Sequence, residues 1–492
     1  MLGFAVTVAL AAFAQVGLAR DGQLPAGMFG YGGGLAVLVG VAYVIVVRFA
    51  PYADPLLLPF AVFLNGLGLA MIYRLDLQHS KNCVAAKAAG QQCYPINASA
   101  ANQLMWTAIS IVFFAVVLLV LRDLRVLQRY RYTIGAVGLF FLILPGLLPS
   151  SISGAGGAKV WLRLGGFSIQ PGEFAKIALI VFFAGYLVSK RDAMSLVGRR
   201  IGPLALPRGR DLGPILVIWL ISVAVLVLEK DLGQGVLFFG LFIAMLYIAT
   251  ARVSWVLIGL GLFSAGAFAA TQLPFLGHVN QRFTVWSNPK AYFDGGCAIG
   301  GKVINQQTQA SLIHATSDTA DFVSKCAALG GHYADSGQPM RAMFSLAQGG
   351  VLGTGLGQGQ PYLTPVSYAD YIFTSFGEEL GLAGLMVILL VFALIVERGM
   401  KAALLIRDPF LKLFTGGISF IFALQVFLIV ASVTGLIPLT AGVTTPFLAQ
   451  GGSALLSNWI FIAILIRISD AARRPAPQPI QDEGMTQIVR TG

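Results

Sequence analysis

Asp370-Tyr-Ile-Phe-Thr-Ser-Phe-Gly377-Glu378-Glu379-Leu-Gly381 opens a run of apolar residues that lasts to about residue 396. A run of that length crosses a bilayer as a helix. Two adjacent carboxylates about two turns inside such a helix are costly unless something pairs them. On a helix they point about 100° apart, so Glu378 and Glu379 each need a neighbour of their own. The chain around them must therefore be a membrane protein that buries and satisfies charge.

The composition agrees. Of 492 residues, 57% are hydrophobic and 11% charged, with mean hydropathy +0.79, which excludes an ordinary water-soluble globular chain. Apolar stretches recur at about 2–19, 30–48, 55–74, 104–121, 132–149, 170–188, 213–228, 233–250, 254–272, 370–396, 411–434 and 455–468. Lipid offers no partner to a bare N–H or C=O, so these stretches are expected to be helices rather than open sheet. The expected fold is an all-α polytopic membrane protein of about twelve transmembrane helices, with one large loop over residues 271–369. The first stretch has no basic leader and no clean small-x-small cleavage site, so it reads as a helix and not a signal peptide.

Net charge is +12, and its placement decides what it means. With the N-terminus inside, 20 of the 33 Lys and Arg fall in inward-facing loops, among them Arg122, Arg125, Arg129, Arg131, Arg398, Lys401, Arg467 and Arg473. Positive loops stay cytoplasmic, which puts both termini in the cytoplasm and loop 271–369 outside. Charge distributed this way suits membrane lipids and argues against a nucleic-acid partner. Residues 471–492 are polar and Pro-rich and read as a disordered cytoplasmic tail. The four cysteines fall in two outward loops, where an oxidising compartment favours two disulfides. The local pairing is Cys83–Cys93 and Cys297–Cys326, with a crossed pairing as the alternative. No CxxC and no His/Cys spacing indicates a metal site.

Further stretches place charge or broken backbone where apolar spans meet loops. Gly157-Ala-Lys159-Val-Trp161-Leu-Arg163-Leu-Gly-Gly-Phe-Ser-Ile-Gln170-Pro-Gly-Glu173-Phe-Ala-Lys176 runs from a loop into a helix. Pro171 suits its first turn and Glu173 its positive end. Glu173 and Lys176, three residues apart, can face each other. Trp161 and Arg163 either anchor the chain at lipid headgroups or belong to a site. Glu229-Lys230-Asp231-Leu-Gly233 is either a solvated turn or, through Lys230 and Asp231, one wall of a cavity. Ile437-Pro438 through Pro446 to Gly451-Gly452-Ser453 is too broken for a clean helix, and suits either an outside loop or backbone buried in protein. The large loop carries His278-Val-Asn-Gln-Arg282-Phe-Thr-Val-Trp286-Ser-Asn288-Pro289-Lys-Ala-Tyr-Phe-Asp294, and a loop of its length is either functional or disordered. Gly353-Thr-Gly-Leu-Gly357 follows no strand and is not a dinucleotide fingerprint.

Taken in order, Trp161 to Lys176, Lys230-Asp231-Leu-Gly, Phe376-Gly-Glu-Glu-Leu-Gly381 and Thr444-Thr-Pro446 to Ser453 resemble the SEDS family of RodA- and FtsW-like proteins, over about Pro55 to Asp470. The chain is similar to actinobacterial members. Residues 1–50 would supply two extra N-terminal helices, and residues 51–470 a core of ten.

The resemblance implies a peptidoglycan glycosyltransferase that polymerises lipid II, a disaccharide-pentapeptide on undecaprenyl diphosphate, into β-1,4 glycan at the outer face of the cytoplasmic membrane. Its implied partner is a class B penicillin-binding protein transpeptidase. A carboxylate takes the acceptor hydroxyl's proton, while positioned cations, or a divalent Mg or Mn ion as the one cofactor the chemistry admits, stabilise the leaving diphosphate. The family's catalytic aspartate follows an Arg-to-Pro run in the large loop. Here Arg282 to Pro289 is that run, and Asp294 is the expected base. The family's Asp-Pro-x-Gly-x-Gly-Tyr-Gln pattern is missing, and an insertion at about 295–338 makes Asp335 the alternative. Substrate contacts are expected from Trp161, Arg163, Glu173, Lys176, Lys230, Asp231, Arg282, Glu378 and Glu379, with Arg163, Lys176 and Lys230 facing the diphosphate. Two other readings stand beside this one: a lipid II flippase or transporter, and a non-catalytic scaffold for a transpeptidase.

Overall fold

The computed structural model describes residues 1–25, 27–88, 98–155, 158–164, 167–190, 199–201, 204–206, 232–272, 277–293, 295–299, 302–315, 319–329, 332–438 and 443–475, with single helical residues at 217, 220, 221 and 224. In chain order the helices are Leu2–Asp21 (α1), Met28–Phe49 (α2), Leu57–Ala88 (α3), Ala100–Val120 (α4), Arg131–Leu147 (α5), Pro171–Ser189 (α6), Leu232–Thr250 (α7) and Ser254–Gln272 (α8). Gly277–Ser287 (α9), Thr319–Ala328 (α10), Gly337–Gly349 (α11), Ile372–Leu405 (α12), Pro409–Val433 (α13) and Gly452–Arg473 (α14) follow. Among the described residues, nine helices are long and apolar enough to cross a membrane, beside shorter apolar helices at Arg131–Leu147 and Ser254–Gly266. Each expected span is thus a helix, except that 213–228 falls almost wholly outside the described residues.

Local chemistry starts these helices where it should. Asp408 caps α13 by accepting from the N–H groups of Phe410 and Leu411, and Pro409 fills the first turn, where no N–H is needed. Ser99 caps α4 through the Asn102 N–H. Packing then places α1 on α3, α2 on α4, α4 on α14, and α5 on α6, with α13 central against α6, α7 and α12. Lipid gives helices no hydrophobic reason to associate, so close approach of small residues matters. At Gly138 of α5, a Cβ would stand 2.7 Å from the Cβ of Ala178. Trp459 of α14 is fully buried between Phe114, with ring centroids 5.5 Å apart, and Phe447 at 5.7 Å.

One end of the bundle is tied by a charged clasp. Asp470 accepts from the Tyr52 N–H at 2.9 Å and from Arg474 at 2.8 Å. Asp54 pairs with Arg473 and Arg398. Arg467 donates to the carbonyls of Phe49 and Arg122. The clasp joins α2, α12, α14 and the connection after α4. Because α14 runs to Arg473, the first residues of the expected disordered tail are helix, and 476–492 lie outside the described residues.

Two expectations are revised. The interval 271–369, open above between a functional and a disordered loop, is largely folded among the described residues. Strand β3 (Gly296–Ile299) pairs antiparallel with β4 (Lys302–Asn305) and with β5 (His332–Ala334). Cys297 and Cys326 are disulfide-bonded, their Cα atoms 5.8 Å apart, and pack with Phe322 and Ile313 in a small core of their own. Cys93, and with it the expected Cys83–Cys93 bond, lies outside the described residues. The second correction concerns Glu378 and Glu379, which do not sit within one continuous span. At Gly381, with φ 66°, the backbone leaves helical geometry and then resumes it. A Cβ at Gly381 would fall 2.3 Å from the Gly353 N, so neither the conformation nor the space admits a side chain. Gly381→Ala should lower the unfolding free energy by about 2 kcal/mol or more, from backbone strain and overlap together, seen as a lowered thermal midpoint in detergent. An unchanged midpoint would mean that the break is dispensable.

Candidate functional site

The break at Gly381 exists to receive the glycine-rich loop 349–360. Leu382 and Ala383 donate back to the carbonyls of Gly350 and Val351, at 2.9 and 3.0 Å, while Thr354 and Gly355 donate to the carbonyls of Glu378 and Glu379. Gly353, Gly355 and Gly357 all have positive φ, and a Cβ on Gly353 would lie 2.3 Å from the Glu379 carbonyl oxygen. The run set aside as no dinucleotide fingerprint is thus a backbone cradle for the acidic pair.

Each carboxylate has separate partners, as their angular separation demanded. Glu378 accepts from the Ser345 hydroxyl of α11 at 2.5 Å and from the Gln360 N–H. Glu379 accepts from the Gly357 N–H at 2.8 Å and pairs with Arg74 Nε at 2.7 Å. Arg74 and Glu379 are both completely buried, and Arg74 also donates to the Gly359 carbonyl at 2.5 Å. Arg74 was missed in the sequence. Its signal was a lone arginine closing the apolar stretch 55–74, which a bland reading assigns to the lipid interface.

Glu173 and Lys176 pair at 2.8 Å with neither exposed. Lys176 Nζ donates to Gln425 of α13, whose amide donates to the Thr444 carbonyl at 2.8 Å. Gln234 of α7 donates to Glu173, and Ser457 of α14 to its carbonyl. The pair therefore pins α6, α7, α13 and α14 together from inside. Lys176 does not present an open cation to a diphosphate, contrary to the expectation. Trp161 is half-buried, and Arg163 is exposed on a hairpin of β1 (Leu162–Leu164) and β2 (Phe167–Ile169), across from Ser168. Lys230 and Asp231 lie outside the described residues.

The remaining candidates converge on α9 and α11. Arg282 and Trp286 of α9, Pro339 and Met343 of α11, and Ile437 and Pro438 beyond α13 line a small, partly open groove. Trp286 Nε1 donates to the Gly435 carbonyl at 2.8 Å, joining two residues that line the groove. Beside it, apolar surroundings push the half-buried Asp370 carboxyl up to about 6. Burial and the nearby Asp370 raise the Tyr371 hydroxyl, with Arg282 opposing them. Asp370 was named in the sequence only as part of a motif, because its desolvation depends on contacts no local pattern shows.

Gly296 pairs with Ala334, so the segment between the two candidate bases leaves and returns at a single neck. Ser336 ties that neck to the preceding turn by donating from its N–H to the Tyr292 carbonyl and from its hydroxyl to the Pro289 carbonyl. Asp335 is exposed and accepts from the Gly337 N–H at 2.7 Å, holding the start of α11. Asp294 lies outside the described residues, directly before Gly295 of the same neck. Among the described residues, no three His, Cys, Asp or Glu converge as a metal set. The Glu378 and Glu379 carboxylates are already engaged by hydroxyl, N–H and guanidinium donors. The donor set on view does not fit a resident divalent cation.

A polytopic helical membrane protein with a charged, glycine-cradled site at one end of its bundle is the class these features define. The chain belongs to the FtsW/RodA/SpoVE family of cell cycle proteins, whose model matches residues 55–300 and 320–474. It is 42% identical over 475 residues to the peptidoglycan glycosyltransferase RodA of Mycobacterium tuberculosis, covering 96% of this chain and 90% of that one. It is 41% identical to the RodA of Mycobacterium leprae over the same shares. A probable peptidoglycan glycosyltransferase FtsW of Trichlorobacter lovleyi is 29% identical over 86% of this chain and 94% of its own. A chain solved in a study of polymerization and crosslinking by a peptidoglycan synthase complex has a similar fold, with TM-score 0.50 at 19% identity, over 91% of this chain and 98% of that one.

The Arg74–Glu379 pair gives a sharp expectation. Arg74→Met strands a buried carboxylate and should cost about 3–5 kcal/mol, and Arg74→Met with Glu379→Gln should recover a large part of that; thermal unfolding of the single and double variants in detergent measures it. Asp370 supplies a pH signature. A carboxyl raised from 3.8 to about 6 on folding keeps its proton where the unfolded chain has lost it. Its contribution is full below about pH 4, falls as pH rises through 6, and is flat above that. Against Asp370→Asn, the wild type should lose relative stability between about pH 4 and 6 and no further by pH 8.

Proposed function

We infer that the chain is a peptidoglycan glycosyltransferase that polymerises lipid II into β-1,4 glycan at the outer face of the cytoplasmic membrane. Family membership and relatives at 42% identity over 96% of the chain support the activity. The observation that carries the mechanism is the arrangement along α11. Its start meets the neck that both candidate aspartates flank, its middle lines the Arg282 groove, and Ser345 near its end holds Glu378.

In this reading the clasp end, rich in arginine, faces the cytoplasm, and the neck and groove face outward. The groove's apolar walls suit the first isoprene units of the prenyl chain. Arg282 lies where a diphosphate would follow, and a guanidinium fits phosphate oxygens in a bidentate way. Arg163, exposed on its hairpin, is a second contact for the diphosphate. Lys230 and Asp231 are carried by the family motif. The buried Glu173–Lys176 pair supports the site by fixing the helices behind it, with Trp161 at the lipid boundary.

Asp294 takes the proton from the acceptor sugar hydroxyl as that oxygen attacks the donor's anomeric carbon. The bond to the diphosphate breaks, and undecaprenyl diphosphate leaves with the electron pair. Asp294 is favoured over Asp335 because the latter is already used to hold the start of α11. A class B penicillin-binding protein transpeptidase is the partner for cross-linking the new strand.

Purified protein with its transpeptidase, given lipid II, tests this. Glycan chains should form, and Asp294→Ala should reduce them at least about a hundredfold, the scale of a lost general base. Asp335→Ala should retain most activity. The reverse pattern would move the base to Asp335. Lipid transfer across vesicles without polymer would favour a transporter, and neither activity would leave a scaffold.

A further inference from the structure

The family model begins at residue 55, so α1 and α2 lie outside it. Yet α1 reaches into the cradle. Arg20, in its last turn, donates from Nη2 to the Gly359 carbonyl at 2.7 Å, the same oxygen that accepts from Arg74 Nη2. Ala19 and Val16 lie directly against Gly357, where a Cβ would stand 2.9 Å from the Ala19 Cβ. The helix is held in place for this by rings: Phe13 meets Tyr73, next to Arg74, at 5.1 Å, and Tyr73 meets Tyr31 of α2 at 5.8 Å.

We propose that α1 is a working part of the site, with Arg20 the positioning residue that clamps loop 353–360 onto Glu378 and Glu379. The loop needs a clamp. Three of its glycines hold positive φ, and glycine loses more backbone freedom on ordering than any other residue. Its N–H groups at Gly357 and Gln360 are what the two carboxylates accept from. One carbonyl taking two guanidinium donors is a charge-assisted junction between α1, α3 and that loop. The N-terminal hairpin therefore completes a site that the family core would otherwise hold by Arg74 alone at this oxygen.

The test is amide hydrogen exchange on the full-length protein in lipid nanodiscs, comparing wild type with Arg20→Met, which keeps an apolar stem without donors, and Arg20→Lys, which keeps one. Exchange across residues 353–363 should rise about tenfold in Arg20→Met, the scale of one lost hydrogen bond to a charged group, and less in Arg20→Lys. Exchange in α13 should not change. On lipid II, kcat should fall about tenfold in Arg20→Met with KM within about twofold, and Arg20→Lys should recover most of it. Unchanged exchange at 353–363 overturns the proposal. If Arg20→Met loses protection in α13 as well, it has misfolded, and Arg20→Gln, a shorter neutral side chain, decides: faster loop exchange with α13 unchanged supports the clamp, and wild-type loop exchange overturns it. The kinetic arm rests on the polymerase reading above, whereas the exchange arm does not. A wild type that makes no polymer would sink that reading and leave the clamp to be judged by exchange.

Discussion

Arg74 and Glu379 are both removed from solvent, and the 2.7 Å contact between them is the constraint around which one end of the molecule is arranged. Burying either charge alone would cost several kcal/mol, and burying both is made tolerable by further hydrogen bonds. The protein supplies these from backbone, leaving Arg74 Nη1 without a partner among the described residues. Gly357 supplies an N–H to the carboxylate, and Gly359 a carbonyl to the guanidinium. A loop that must offer N–H and C=O groups in both directions over a few residues cannot be a helix or strand. It needs positive φ, hence glycine, and it needs room, hence the interruption of α12 at Gly381. Pair, loop and break are one solution to one electrostatic problem.

The second buried pair is solved differently. Glu173 and Lys176 lie on one helix, three residues apart, and their remaining capacity goes to side-chain amides from neighbouring helices, Gln234 and Gln425. That arrangement knits four helices together without distorting any of them. One cluster thus shapes backbone at the site, and the other stiffens the bundle behind it. The helix that connects the site's parts is α11, an amphipathic element of the large loop with no counterpart among the spans.

Much of this was readable in the residues and some was not. Apolar run length identifies spans because lipid leaves the chain no alternative to helix, and the Glu173–Lys176 pairing follows from helical spacing alone. The separate partners of Glu378 and Glu379 follow from the same geometry. The break at Gly381 does not, since a single glycine in an apolar run is usually tolerated within a helix. Here only the approach of Gly353 from a distant segment requires the break. Arg74 was hidden by position, because an arginine at a span's end ordinarily snorkels to water, and only the 349–360 loop folding over it buries it. Lys176 was misjudged for the opposite reason. A lysine near a helix start looks available until Gln425 and Glu173 are seen to enclose it. The polar interval 271–369 looked irregular because its elements are short and its strands pair across about forty residues, a separation that no local period records.

The pairing of Gly296 with Ala334 has a consequence for how this family can diversify. The chain departs and returns at adjacent points on one small sheet, so everything between is an excursion with zero net displacement. The spacing between α9 and α11, and with it the groove, does not depend on how long the excursion is. Closure entropy grows only logarithmically with length, and the Cys297–Cys326 bond removes much of what remains. The neck therefore acts as a grafting port. New surface can be added beside the groove, sized or exchanged by recombination at two neighbouring residues, while the helices that line it keep their register.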